Sequence, residues 1–402
     1  MQHNGWDHAL KVTADGAGLV GHAGALLLRK AADQAGLTAQ LSAALRRKGA
    51  SPQLDRGIVL VSMAAAIALG ATSMSDIAVL AHLAPVLGTA PSGPTVWRAL
   101  GLAGAPGMLD RIARARAKTR AHAWTLIEGT AAGFPWLVIA GKALTGWVVI
   151  DLDATLVTAH SDKEGAAPTW KKGYGFHPLG AWCSNTRECL AMLLRPGNAG
   201  SNTFTDHRDV LAAAIRQVPA RFRRKILVRV DGAGASHELV KHLLALSSPR
   251  RKTLFSCGWM ITAADEDAIR KVPPDAWKPG ISQDGTAEED KHVAEITHLM
   301  SRAGNWPDGL RWIVRRVKPS RRQMPNLTAY EKKTGWRYSI ICTNIPDCGI
   351  DGVPGSHHPQ YIDVAHREHA AVEILAGQLR LGHRREHRRR PRRLDPSPRP
   401  LR

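Results

Sequence analysis

A chain of 402 residues with ordinary hydrophobic content exceeds one small domain and can bury a large core. Its net charge of +21 would repel itself without a polyanionic partner, so nucleic acid is the first expectation and an anionic membrane the second. Five scattered cysteines with no C-x-x-C pair argue against a zinc framework or a disulfide scaffold, and imply reduced thiols in a cytoplasm.

Residues 1–12 carry no apolar signal region. Residues 1–145 read as helical, with Ala/Leu-rich stretches at 26–45 and 58–69. The uncharged stretch 57–75 is long enough to raise the question of a membrane span. Its Ala, Gly and Ser content reads instead as a buried core helix, and no membrane association is expected. Residues 108–122 place Arg111, Arg114 and Lys118 along one helical face, suited to a phosphate backbone. Between these stretches, Pro91-Ser-Gly-Pro-Thr-Val-Trp-Arg98 is a turn followed by a helix start. A helix-turn-helix docking in a DNA groove and an ordinary helical hairpin both fit it.

The texture changes at Trp147. Trp147-Val-Val-Ile-Asp-Leu-Asp153 is a β-branched run ending in acids, the pattern of a buried strand whose end opens onto a site. Strand candidates follow at 177–183 and 189–194, then a helix at 206–218. Lys225-Ile-Leu-Val-Arg-Val-Asp231 is another strand ending in an acid, and a helix at 236–246 begins near Ser236. Three strands, a helix, a strand and a helix, with carboxylates at strand ends, fit a ribonuclease-H-like α/β core. Residues 253–345 alternate short β-type runs with charged connectors and read as a β-rich insertion. A helix candidate spans 363–381, and residues 384–402 are Arg/Pro-rich low complexity that should not pack.

The strand-end acids Asp153 and Asp231 are the first candidates for chemistry, with a cap or turn former as the alternative for each. Mg²⁺ and Mn²⁺ prefer hard oxygen ligands, and a pair of such ions roughly 3.5–4 Å apart can serve an in-line phosphoryl displacement. A two-ion site needs at least a third carboxylate from elsewhere in the chain.

The stretches Val148-Val-Ile-Asp-Leu-Asp-Ala-Thr-Leu156, His160-Ser-Asp-Lys-Glu164 and Lys172-Gly-Tyr-Gly-Phe-His-Pro-Leu179 resemble bacterial insertion-sequence DDE transposases (DDE domain group 1). So do Leu194-Arg-Pro-Gly-Asn-Ala-Gly-Ser-Asn-Thr203 and Asp206-His207, within the branch catalogued as insertion-sequence family thirteen-eighty. The resemblance runs to about Glu373. It implies a ribonuclease-H-like catalytic domain binding two Mg²⁺, with Mn²⁺ as substitute. The first acid falls on Asp153, with Asp151 as its substitute, and the second on Asp231. His366-Arg-Glu-His-Ala-Ala-Val-Glu373 gives the third, Glu373, with Glu368 as its rival on the same helix. The related Tyr-Arg-Glu-Lys spacing selects His366, His369, Glu373 and Arg380 here, and the two His and the Arg remain able to donate to phosphate.

Lys163, Lys171 and Lys172 are candidate phosphate contacts, although a solvated basic loop would look the same. Asn198, Asn202, Thr203, Asp206 and His207 either contact DNA or order the site, or the Asn residues simply make a turn and Asp206 caps the following helix. In related enzymes an aromatic of the insertion stacks on a flipped base, so Trp259, Trp306, Trp312 and Trp336 are candidates, with plain core packing as the alternative. His177 reads as structural.

The expected organisation is thus a helical, DNA-binding domain at 1–145, the first part of the core at 146–252, and the insertion at 253–345. Core completion follows at 346–382 and a basic tail at 383–402. The tail holds nine Arg and no helical periodicity, and resembles shifted-frame translation of GC-rich DNA, so a truncated copy is one expectation. The function expected is cleavage and strand transfer of an insertion sequence in the bacterial cytoplasm, on double-stranded element ends and target, by at least a homodimer. A DNA-binding remnant without catalysis, and a metal-dependent nuclease that does not rejoin strands, are the alternatives.

Overall fold

The computed structural model describes residues 22–49, 51–159, 162–232, 234–259, 261–300 and 306–368. The chain divides into two compact units, with the boundary after Thr119.

The first unit is helical. Helices α1 (Ala25–Gln34) and α2 (Leu37–Leu45) break at Gly36, whose backbone is left-handed. Helix α3 (Arg56–Ala68) starts at Asp55, whose carboxylate accepts from the Ile58 amide at 3.1 Å. A 3-10 segment, Met74–Leu83, leads to α4 (Gly93–Ala103), capped by Ser92. Val59, Ala66, Ile77, Leu80, Val96 and Ala99 form the core of this unit. Among the described residues, no helix is long and apolar enough to cross a membrane.

Helix α5 (Met108–Glu128) contains the boundary, and its later part belongs to the second unit. There Arg120 is buried, donating to Glu188 at 2.7 Å and to Gln217.

The second unit is built on one mixed sheet of nine strands. In chain order these are β1 (Val148–Ala154), β2 (Leu179–Cys183), β3 (Glu188–Leu193), β4 (Lys225–Val230) and β5 (Lys252–Trp259). They continue with β6 (Lys278–Ile281), β7 (Ala287–Glu295), β8 (Arg311–Val317) and β9 (Arg337–Thr343). Across the sheet the order is β6-β7-β8-β9-β5-β4-β1-β2-β3. Strands β1, β2 and β3 are antiparallel neighbours, while β4 pairs in parallel with β1, and β5 in parallel with β4. The run at 253–257, read from sequence as the start of the insertion, is therefore a parallel neighbour of β4. Strand β9 adds antiparallel to β5, and β8, β7 and β6 extend the same sheet outward.

The central strands are buried on both faces, which is why their sequences are nearly unbroken apolar runs. Val148, Ile150, Leu152, Ile226, Val228, Val230 and Phe255 line one face. Helices α6 (Phe204–Gln217) and α7 (His237–Ala245) cover it through residues such as Leu211, Ala214, Leu239 and Leu243. Val149, Leu227 and Leu254 face the other way, beneath Tyr361, Ile362, Val364 and Ala365 of α8 (Pro359–Arg367). Shorter helices, a small three-stranded sheet and the antiparallel pair Val138–Ile139 with Lys142–Ala143, in a stretch read from sequence as helical, complete the described chain.

Candidate active site

The parallel register of β1 and β4 runs from Val148↔Ile226 to Leu152↔Val230. Asp153 lies one step past the last pair on β1, and Asp231 one step past it on β4. Neighbouring strands lie about 4.8 Å apart, so the two acids end adjacent strands side by side. Strand alternation puts Asp153 on the face of Val149, the face that α8 covers. The carboxylate of Asp153 accepts from the Ala154 amide at 2.8 Å, and that of Asp231 from the Gly232 amide at 2.6 Å. Asp153 is half-buried and Asp231 exposed, so both reach the strand-end edge.

Asp151 shares the strand and the face with Asp153 but not its situation. It is fully buried, and Arg229, its register partner on β4, grips it with Nε at 2.5 Å and Nη2 at 2.8 Å. Ser184 also donates to it. Asp151 is thereby spent on a buried ion pair, which disfavours it as the substitute first acid. Arg229 reaches further, donating from Nη1 to the Ala365 carbonyl at 2.7 Å. His366 meets the Ser256 hydroxyl through Nδ1 at 2.9 Å. The end of α8 is therefore pinned to β4 and β5 one layer beneath the strand-end acids. Glu368, just past α8, has its carboxyl raised by burial, an effect that Arg229 opposes and Asp151 reinforces.

Other groups converge on the same edge. Gly232 and Gly258 approach so closely that a Cβ on Gly258 would lie 2.9 Å from the Gly232 nitrogen. His207 is buried behind the turn after Asp231; its Nδ1 meets the Thr203 carbonyl at 2.9 Å, and a Cβ on Gly234 would lie 2.8 Å from its Nε2. Burial holds the His207 pKa below the ordinary value. That placement makes His207 part of the scaffold under the Asp231 turn. Asp206 accepts from Arg195 at 3.0 Å, while Asn202 and Thr203 stay exposed.

The connection from β1 to β2 extends this edge. Residues Val157–Thr158, Ala167–Pro168 and Tyr174–Phe176 form a small three-stranded sheet. Lys163, Lys171 and Lys172 are exposed on it, and the Lys171 ammonium lies 4.8 Å from the Trp170 ring centre. Trp170 is 72% exposed, and sequence reasoning passed over it. Its signal was the string Trp-Lys-Lys, an aromatic beside two cations. Gly197 lets the β3–α6 connection press onto this small sheet, since a Cβ there would meet the Ala167 carbonyl oxygen at 2.3 Å.

Of the tryptophans singled out in the sequence, Trp312 is buried in the core. Trp259 and Trp306 pack edge-on at 4.8 Å beside His237, and Trp336 carries Arg316 and Lys318 over its ring. Glu373, His369 and Arg380 lie outside the described residues, as does the tail.

Two hard-oxygen carboxylates on adjoining strand ends suit Mg²⁺ or Mn²⁺, but a two-ion site requires a further ligand. Among the described residues, no group of three or more His, Cys, Asp and Glu comes together to hold a metal ion.

No curated protein matches the chain. Among solved structures, the cryo-EM structure of a piggyBac transposase synaptic complex with hairpin DNA aligns with a TM-score of 0.43 and 12% identity, covering 88% of this chain and 67% of that one. The family model described as transposase DDE domain group 1 matches residues 2–330. The chain belongs to that family of transposases.

Proposed function

We propose that this protein cleaves DNA at the ends of an insertion sequence and joins the freed 3′ ends to target DNA. The observation that carries the proposal is the placement of Asp153 and Asp231 side by side at the ends of parallel strands, on the face covered by the helix leading toward Glu373. The pairing of β1 through β5 supports a ribonuclease-H-like core, because three antiparallel strands precede a helix and a strand parallel to the first. The strands β6 to β9 then serve as the β-rich insertion after that core.

In this reading Asp153, Asp231 and Glu373 are the residues that would hold divalent metal. When bound, a pair of Mg²⁺ ions, or Mn²⁺ in their place, supplies the Lewis acidity for activating the attacking oxygen and stabilising the leaving one. Phosphoryl transfer needs little covalent help from protein, so positioning is the main task of the chain. Lys163, Lys171 and Lys172 hold the DNA backbone beside the first acid, and exposed Trp170 offers a stacking face. Asn202 and Thr203 line the same edge from the β3–α6 connection. Synapsis of two element ends requires at least two copies of the chain.

Labelled element-end DNA with Mg²⁺ tests this. Joined products support transposition, cut products alone support a nuclease, and a mobility shift without cutting supports a DNA-binding remnant. The Asp231→Asn variant is expected to abolish cutting and joining while binding DNA as the wild type does. Residual cleavage by that variant would remove Asp231 from the site.

A further inference from the structure

We infer that Arg229 is a positioning residue that locks the helix leading to the third acid onto the two strands carrying the first two. The inference rests on the assignment of Asp153, Asp231 and Glu373 proposed above.

Arg229 lies two residues before Asp231 on β4, and Asp151 two residues before Asp153 on β1. Their register pairing puts them directly beneath the strand-end acids. The Arg229 side chain is wholly buried, and its planar fork serves three separate segments. Nε and Nη2 hold the two Asp151 oxygens, Nη2 also meets the Ser184 hydroxyl at 2.9 Å in the β2–β3 turn, and Nη1 donates to the Ala365 carbonyl.

An ion pair inside a sheet is an expensive way to gain stability, because apolar residues of similar volume do as well or better. What an apolar pair could not supply is the third arm. The Ala365 carbonyl lies in α8, and holding it together with both Asp151 oxygens needs several donors fixed in different directions on one side chain. Arg229 meets that need with a fixed geometry that a lysine could not reproduce. The next residue, His366, is fastened to Ser256, which is the register partner of Arg229 on β5. One layer of the sheet, Asp151–Arg229–Ser256, thus holds the helix end eight residues before Glu373. Arg229 touches neither Asp153 nor substrate in this scheme and acts only through what it holds.

The test uses the full-length chain and Mn²⁺ as the probe. The pair Asp151→Asn with Arg229→Met removes the fork but leaves a neutral, well-filled interior in which Asn can still meet Ser184. Mn²⁺ is titrated against the thermal midpoint, and cleavage of element-end DNA is measured at saturating DNA. The expected result is a cooperative melt, unchanged DNA affinity, and an Mn²⁺ midpoint raised about tenfold or more with a comparable fall in kcat, as for other supports of metal ligands. A midpoint and kcat within about twofold of wild type would show that Arg229 only fills the core. Should the double variant not fold, Arg229→Lys keeps the charge and is followed by hydrogen exchange. Lost protection in residues 359–368, with β1 unchanged, supports the clamp, and unchanged protection there overturns it. Failure of the underlying assignment reads differently: the wild type itself would gain no stability from Mn²⁺, or Asp153→Asn would keep that gain.

Discussion

Gly258→Ala is the sharpest probe of how tightly the Asp231 turn is held. A Cβ at 258 would sit 2.9 Å from the Gly232 nitrogen, 3.2 Å from its Cα and 3.1 Å from His366 Nε2. The imidazole is the end of a side chain and can swing, but the Gly232 atoms are backbone. Restoring ordinary contact at 3.4 Å requires β5 and the 231–232 turn to separate by about 0.5 Å. Overpacking of this kind costs about 1–3 kcal/mol, a Tm loss of roughly 2–12 °C for a unit of this size. The same displacement moves Asp231 relative to Asp153. Since a misplacement of about 1 Å can cost 10²-fold, roughly half that shift should cost about tenfold in cleavage rate. The assay is thermal melting together with cleavage of labelled element-end DNA. Gly101→Ala is the control, because Gly101 lies in α4 with nothing near its missing Cβ, and alanine there should stabilise the helix. Wild-type cleavage by Gly258→Ala despite a lowered Tm would refute the link between this contact and the site.

Two further outcomes follow from burial. Burial pushes the Cys257 thiol up to about 12 and the Cys183 thiol up to about 11, and Cys342 is buried as well. Because the thiolate is the reacting form, Cys183 and Cys257 should react far more slowly in native protein at mildly alkaline pH than the exposed Cys348, with half-buried Cys189 between them, and Cys348→Ser should remove the fastest phase. The second outcome concerns His207, whose pKa burial holds below the ordinary 6.5. Below 6.5 the unfolded chain takes up a proton that the folded chain resists, so stability falls as pH drops from that point. His207→Gln should cost stability at neutral pH yet lose less of it between pH about 7 and about 5; equal losses in the two proteins would show that His207 is not held neutral.

The strand-end placement of the two candidate acids was legible because its signals are local. A β-branched run closed by an acid fixes both the strand and the place where its end opens, and this happened twice, at Asp153 and Asp231. What lay hidden was the pairing between distant strands. Arg229 stands in the middle of the apolar string Lys-Ile-Leu-Val-Arg-Val, where a charge demands a buried partner, and Asp151 stands in a matching string. Naming them as a pair needs the parallel register of β1 on β4, which no periodicity within either strand encodes. The same holds for β5. Its sequence looks like any short β run, and only its parallel pairing with β4 separates it from the strands that follow. His207 was read, from its place in a polar loop, as a candidate DNA contact or a residue that orders the site. Its burial follows from the turn of α6 onto the 231–234 loop, which the sequence does not show.

The two acids of Asp151-Leu-Asp153 have the same charge and the same face, so their different fates must come from their neighbours. Asp151 is opposite Arg229, and Asp153 is opposite the position that becomes Asp231. This predicts a double dissociation. Asp151→Asn leaves the Arg229 guanidinium buried without its counter-charge, a loss that typically costs about 3–5 kcal/mol, and should lower Tm markedly. Asp153→Asn removes one of two adjacent carboxylates at the solvent edge; in the presence of chelator it should leave stability within about 1 kcal/mol of wild type, or raise it by relieving repulsion. Activity should run the other way per unit of stability lost, with Asp153→Asn folded but unable to cleave. Melting curves in chelator, paired with cleavage assays in Mg²⁺, decide the matter. If Asp153→Asn proved the more destabilising of the two, Asp153 would be the structural member of the pair, and the first metal ligand would have to be sought elsewhere on this edge.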